Sequence, residues 1–362
     1  MRIALLIPTL EIGGVERVFA NLANGLRQCG AEVDLVAGRG GGDMGRVIAE
    51  GTQVFDLESD HMMRSVPRVA KYLRDREPDA MIAAMTHSTA AAVVARTIAR
   101  QKTKIVATEH TTMSKIVANT SGLKYRLMPL WSRWALKSAD SIVAVSGGVA
   151  DDLSTQTGIP RETLRVIYNP VITDALYTAG TATVEHPWFQ PEEPPVILAV
   201  GRLDKQKDFP MLVRAFRLIR DRRPARLMIL GDGADRNRIE QVVRDTGLAD
   251  DVALPGFELN PYRFMKRAAA FASSSQWEGF GVALVEALAL GAPVVSTDCM
   301  YGPSEILCNG RFGMLVPVGD HEAMAGALLT ALDNPVRNDC SVHLQQFTVR
   351  GVAANYLSIV SN

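Results

Sequence analysis

The chain has 362 residues, 47% of them hydrophobic and 22% charged, enough for two globular domains of ordinary size. Its 39 Lys and Arg balance 39 Asp and Glu, and no run approaches the ~18 apolar residues that span a bilayer. Four cysteines, Cys29, Cys299, Cys308 and Cys340, show no C-x-x-C spacing, which points to free thiols in a reducing, cytoplasmic compartment. Residues 2–7 are apolar after Arg2, with Pro8 behind them, a first strand rather than a signal peptide. A loop with Gly13 and Gly14 follows. Val15, Val18, Phe19, Leu22, Ala23 and Leu26 then recur at helical spacing, Gly30 ends the helix, and Glu32–Ala37 reads as a second strand. This strand–glycine loop–helix–strand unit opens a doubly wound sheet. It lacks the dinucleotide fingerprint: no G-x-G-x-x-G follows the first strand, and no G-x-x-x-x-G-K-[ST] occurs anywhere. Gly40-Gly41-Gly42 lies after the second strand and reads as a loop.

Strands near 52–57, 80–84, 104–108 and 141–145 alternate with helices near 64–76, 89–100, 123–138 and 147–156. A strand at Leu164–Pro170 closes a first Rossmann-like domain, residues 1–169. Residues 170–194 hold Pro170, Pro187, Pro191 and Pro194 and read as a linker. A second series runs from 195 to 345, with strands at 196–200, 227–230, 252–254, 271–275, 294–297 and 313–316. Its helices are expected at 209–220, 235–246, 262–269, 282–290 and 321–333. Phe347, Val352, Tyr356 and Leu357 mark a last helix in residues 346–362.

Charge is unevenly spread. Residues 1–170 carry 21 basic against 17 acidic residues, and residues 61–137 carry 14 against 4. The stretch 123–137 has four basic residues, Trp131 and Trp134, and no acid. Two readings fit it: a basic amphipathic helix at a membrane interface, or tryptophans in the core.

The most informative segment is residues 271–293. Phe271–Ser275 reads as a strand, Gly279–Gly281 as a tight turn, and Val282–Leu290 as a buried helix that Gly291 and Pro293 end. Amides at the start of that helix are unpaired donors suited to phosphate. The helix nonetheless carries a carboxylate, Glu286, and a buried carboxylate needs a partner. Glu278 stands just before the turn.

Glu278-Gly-Phe-Gly-x4-Glu286 resembles the E-x7-E motif of the retaining glycosyltransferases of family 4, and Gly13-Gly14-Val15-Glu16 resembles their GG-x-E loop. The resemblance covers nearly the whole chain. It implies a GT-B fold, α/β, with two Rossmann-like domains facing across a cleft and a C-terminal helix returning to the first domain. Glu286 would hold the ribose diol and Glu278 the donor sugar. Gly279, Phe280, Gly281 and Val282 would meet sugar and diphosphate, with Gly13 and Gly14 also on the donor. Arg202 and Lys207, in Gly201-Arg202-Leu203-x3-Lys207, occupy the family's cation positions and would neutralise the leaving diphosphate. His110, at the end of the 104–108 strand, would face the donor sugar. Gly256 and Phe257 lie where the backbone meets the base, and Glu305 opens a short helix near the phosphates.

No D-x-D occurs and no His/Cys spacing forms a zinc set, so neither metal nor cofactor is expected. The implied reaction is retaining transfer of a hexosyl or N-acetylhexosaminyl group from a UDP-linked donor. Its acceptor would be a lipid-linked or cell-surface glycan of a bacterium, not nucleic acid. The basic region would then rest on an anionic membrane surface, the inner face of the plasma membrane. A GT-B epimerase and a non-catalytic GT-B binding subunit are the alternatives.

Overall fold

The computed structural model describes residues 1–11, 13–41, 51–119, 127–335 and 339–361. The chain divides into two units: Met1–Val171 with Gln345–Asn362, and Ile172–Leu344.

The first unit is built on a seven-stranded parallel sheet in the order β3-β2-β1-β4-β5-β6-β7. Its strands are β1 (Arg2–Thr9), β2 (Glu32–Arg39), β3 (Gln53–Asp56), β4 (Ala80–Ala84), β5 (Lys104–Glu109), β6 (Ser141–Ala144) and β7 (Leu164–Val166). The central strands are apolar almost throughout because helices cover both faces of the sheet; all five residues of β4 are buried. Helix Gly14–Gln28 buries Val18, Phe19, Leu22, Ala23 and Leu26 against one face. Helices Val66–Arg76 and Met85–Ala99 cover the other.

The C-terminal helix Val349–Ser361 belongs to this unit and lies on Gly14–Gln28. A Cβ at Gly25 would stand 2.6 Å from the Val349 carbonyl, so glycine permits the close approach. Lys104 Nζ donates to the Val360 carbonyl at 2.9 Å, and the Val171 amide to Phe347 at 2.9 Å.

Several boundaries differ from the sequence reading. Helix Met85–Ala99 begins four residues before the expected 89, straight out of β4 at Met85, whose φ is +65°. A helix at Met113–Asn119 was not expected. The expected helix at 123–138 is described as Met128–Lys137, and Lys124 and Arg126 lie outside the described residues, as does Gly42. Trp131 and Trp134 are 37% and 46% exposed, so the core reading of these residues does not hold.

The second unit carries a six-stranded parallel sheet ordered β10-β9-β8-β11-β12-β13. These are β8 (Val196–Val200), β9 (Arg226–Leu230), β10 (Val252–Gly256), β11 (Ala270–Ser273), β12 (Val294–Thr297) and β13 (Met314–Val316). Of residues 170–194, read from the sequence as linker, those from Ile172 on fold into this unit. They form helix Asp174–Gly180, capped by Thr173 Oγ1 accepting from the Leu176 amide at 3.0 Å, and a short turn at Pro187–Phe189. Both sheets reverse strand order once, between β1 and β4 and between β8 and β11. Open parallel sheets bind ligands outside the strand carboxyl ends at such a reversal. The loops after β1, β8 and β11 carry the glycine pair, the Arg202/Lys207 loop and Glu278.

Candidate active site

In the second unit β8 and β11 are neighbours, paired Ala270 with Ile197 and Phe271 with Leu198. That adjacency brings together two loops far apart in sequence. Lys207 Nζ sits 2.5 Å from Glu278 Oε1. The same oxygen accepts from Ser275 Oγ at 2.6 Å, and Gln206 Nε2 reaches Oε2 at 3.4 Å. Glu278 is 6% exposed, so its charge is held by a cation, a hydroxyl and an amide rather than by water. Lys207, Glu278, Ser275 and Gly281 line one pocket.

Arg202 and Lys207 do not share an environment. The Arg202 side chain is 74% exposed, and its Nε donates to Asp204 Oδ2 at 2.6 Å. Asp204 Oδ1 also accepts from the Lys207 amide at 3.2 Å, so one carboxylate shapes the whole loop. Asp204, Ser275 and Gln206 were not singled out from the sequence. Only Ser275, three residues before Glu278 in a run of serines, offered a local signal.

Helix Val282–Ala289 begins after Gly281, whose φ of +105° is a glycine conformation. Its far end closes with Gly291 at φ +77° and the Ala292 amide on the Ala287 carbonyl at 3.1 Å, the bonding of a Schellman ending. Glu286 is 4% exposed, and its Oε1 accepts from Tyr262 Oη at 3.1 Å. The turn also leans on the next loop: a Cβ at Gly302 would meet the Phe280 carbonyl at 1.8 Å. Glu305 lies in the first turn of helix Pro303–Ile306, half-buried. Gly256 ends β10 with φ +98°, and Phe257 after it is 58% exposed. Cys299 is buried in this region, and desolvation, with the Glu278 charge adding to it, pushes its thiol pKa up to about 12. A thiolate nucleophile is therefore not available there at neutral pH.

In the first unit Gly13 precedes helix Gly14–Gln28, where a Cβ would collide with Glu16 Oε2 at 2.1 Å. Burial raises the pKa of Glu16. His110 follows β5, 8% exposed, with Nε2 3.0 Å from Thr108 Oγ1 and its ring 5.7 Å from that of Phe19. Desolvation pushes its pKa down to about 4, with the Asn169 side chain opposing that shift, so the imidazole is neutral at physiological pH. Glu109, beside it, accepts from Thr86 Oγ1 at 2.6 Å, and burial lifts its pKa to about 7. Among the described residues no group of three or more His, Cys, Asp or Glu side chains could hold a metal ion.

Two parallel sheets of this order, with a cation–carboxylate pair and a glycine-turn helix at the β8/β11 reversal, fit the GT-B class of glycosyltransferase that the sequence resembles. Residues 12–175 match the family described as Glycosyltransferase Family 4, and residues 183–344 match Glycosyl transferases group 1. The chain belongs to these glycosyltransferases.

It is 42% identical over 114 residues to an uncharacterized glycosyltransferase of Methanocaldococcus jannaschii, covering 31% of this chain and 28% of that one. It is 31% identical over 237 residues to an N-acetylgalactosamine-N,N'-diacetylbacillosaminyl-diphospho-undecaprenol 4-alpha-N-acetylgalactosaminyltransferase of Campylobacter jejuni, covering 64% and 61%. Both matches span less than two thirds of the relative's length. The lipopolysaccharide core biosynthesis glycosyltransferase LpsE of Rhizobium meliloti is 26% identical over 364 residues, 97% and 96% of the two chains. Among solved structures, Anabaena Alr3699/HepE in complex with UDP and glucose superposes with a TM-score of 0.82 at 19% identity, covering both chains fully.

Proposed function

We propose that this protein transfers a hexosyl or N-acetylhexosaminyl group from a UDP-linked sugar to a lipid-linked or cell-surface glycan, retaining the anomeric configuration. The observation that carries this reading is the pairing of half-buried Lys207 with buried Glu278, set beside the Gly279–Val282 turn and the buried Glu286. The Anabaena neighbour's complex with UDP and glucose supports the donor class. The Campylobacter and Rhizobium relatives support the acceptor class.

In this reading Glu286 accepts from the ribose hydroxyls and the turn amides meet the diphosphate. Lys207 and Arg202 offset the charge that grows on the leaving diphosphate. The sugar C1–phosphate oxygen bond breaks, and a bond from C1 to the acceptor oxygen forms on the same face. The acceptor hydroxyl proton passes to the departing phosphate oxygen.

UDP release tests the proposal. It should run faster with a glycan acceptor than without, and EDTA should leave the rate within about twofold, because protein cations carry the electrostatic work. Equal release without acceptor would favour an epimerase or hydrolase. No release from any donor would leave a binding subunit.

We also infer work at an anionic membrane surface. No helix among the described residues is long and apolar enough to cross a membrane. Leu127, Leu130, Trp131 and Trp134 stand exposed at i, i+3, i+4 and i+7 along helix Met128–Lys137 and the residue before it. One helix face is therefore apolar and open, with exposed Lys137 at its end. Binding to anionic vesicles should exceed binding to neutral ones and fall as salt rises. Trp131→Ala with Trp134→Ala should weaken it at least tenfold, since each tryptophan buries a large apolar area. Lys124→Gln, Arg126→Gln and Lys137→Gln together should lower the salt dependence. Arg133 is a poor choice for this test because it donates to the Thr157 and Gly158 carbonyls at 2.6 and 2.8 Å. Co-sedimentation with neutral and anionic lipid at low salt decides: equal recovery would remove the membrane from the reading.

A further inference from the structure

The carboxylate assigned to the ribose is anchored by the protein itself. Tyr262 Oη donates to Glu286 Oε1 at 3.1 Å. Tyr262 opens the single helical turn Tyr262–Met265, with Pro261 ahead of it. Carbonyls of the 172–194 segment hold that turn. Asn260 Nδ2 donates to Ala179 at 3.0 Å, Arg263 Nη1 to Thr183 at 3.1 Å and Arg267 Nη1 to Ala182 at 2.8 Å. Arg263 Nη2 also meets Glu258 at 3.2 Å. The same segment touches the motif helix's end, where a Cβ on Gly180 would stand 2.8 Å from Leu290 Cδ2. Residues 172–194 therefore buttress the turn that presents the phenol.

We propose that Tyr262 is a positioning residue: it orients the Glu286 carboxylate for a vicinal diol and so sets the preference for ribonucleoside over 2′-deoxyribonucleoside diphosphate. The proposal rests on the reading of Glu286 as the ribose-binding group. A carboxylate has about four acceptor directions, and the terminal torsion of Glu is broad, so an untethered carboxylate samples many orientations. The phenol occupies one direction on Oε1 and fixes the plane, so two ribose hydroxyls meet aligned lone pairs without an ordering cost. A ligand with one hydroxyl gains less from that alignment.

Titration calorimetry with UDP and 2′-deoxy-UDP tests this on wild type, Tyr262→Phe and Glu286→Ala, each first checked for an unchanged melting profile. Wild type should prefer UDP by about tenfold, the loss of one hydrogen bond to a charged group. Tyr262→Phe keeps the ring and its packing; it should weaken UDP by roughly threefold to tenfold and 2′-deoxy-UDP less, so that the preference shrinks. Equal weakening of both ligands, or no weakening, would overturn the positioning role. If Glu286→Ala removes the preference and Tyr262→Phe keeps it, the Tyr262 inference alone fails. If Glu286→Ala leaves the preference intact, the ribose reading fails with it.

Discussion

Lys207→Ala should lower kcat by about 10²- to 10³-fold at saturating donor while moving KM for the donor far less. That is the cost of removing one preorganised group aimed at charge that develops in the transition state. Lys207 is suited to this task because it does not wait in solvent. Its side chain is 22% exposed, its amide is tied to Asp204, and its ammonium is held by Glu278 at 2.5 Å. An ammonium has three donors, so one bond to Glu278 leaves it able to meet phosphate oxygens. The same pairing gives the substitution a second consequence. Truncating Lys207 strands a buried carboxylate, which costs roughly 3–5 kcal/mol, so the variant should also melt lower. Adding Glu278→Gln to Lys207→Ala should restore much of the melting temperature and none of the turnover. Arg202→Ala, which removes an exposed side chain paired with Asp204 of its own loop, should cost less than about tenfold. A Lys207→Ala enzyme with normal kcat and a raised KM would make Lys207 a ground-state binder.

What could be read from the sequence was whatever acts over a few residues. The glycine turn, the helix after it and its ending at Gly291 follow from local rules and stand where expected, within a residue or two. The Lys207–Glu278 pair was legible only as two separate residues. They are 71 positions apart and meet because β8 and β11 lie side by side, a consequence of strand order that no spacing encodes. The Tyr262–Glu286 contact crosses 24 residues and depends on a single turn of helix, so no local pattern marks it. The linker reading of 170–194 fails for another reason, since residues from Ile172 on belong to the second unit. The segment's prolines drew attention as breakers, while Thr173-Asp174, an N-cap followed by a first-turn acid, was the helix signal present in the sequence. Met85 illustrates the opposite limit. The chain passes from β4 into a helix with no capping side chain, so nothing local marks the start.

Glu286→Ala should weaken UDP binding by about 10- to 100-fold, because hydrogen bonds to a charged acceptor contribute about 1.5–3 kcal/mol and the ribose loses them. The structure sharpens the comparison needed to read that number. Glu286 is also the acceptor for Tyr262, so alanine both removes the ribose contact and leaves a half-buried phenol without that partner. Glu286→Gln separates the two effects. Its amide oxygen can still accept from Tyr262 and from one hydroxyl, but as a neutral group, whose hydrogen bonds contribute about 0.5–1.5 kcal/mol. Affinity should therefore run from wild type through Glu286→Gln to Glu286→Ala in steps of roughly threefold to tenfold, while the melting temperature of Glu286→Gln stays near wild type. Calorimetric titration with UDP, on variants shown to be folded, measures the series. If UDP affinity is the same in all three proteins, Glu286 does not touch the nucleotide, and its burial beside Tyr262 is then a matter of packing alone.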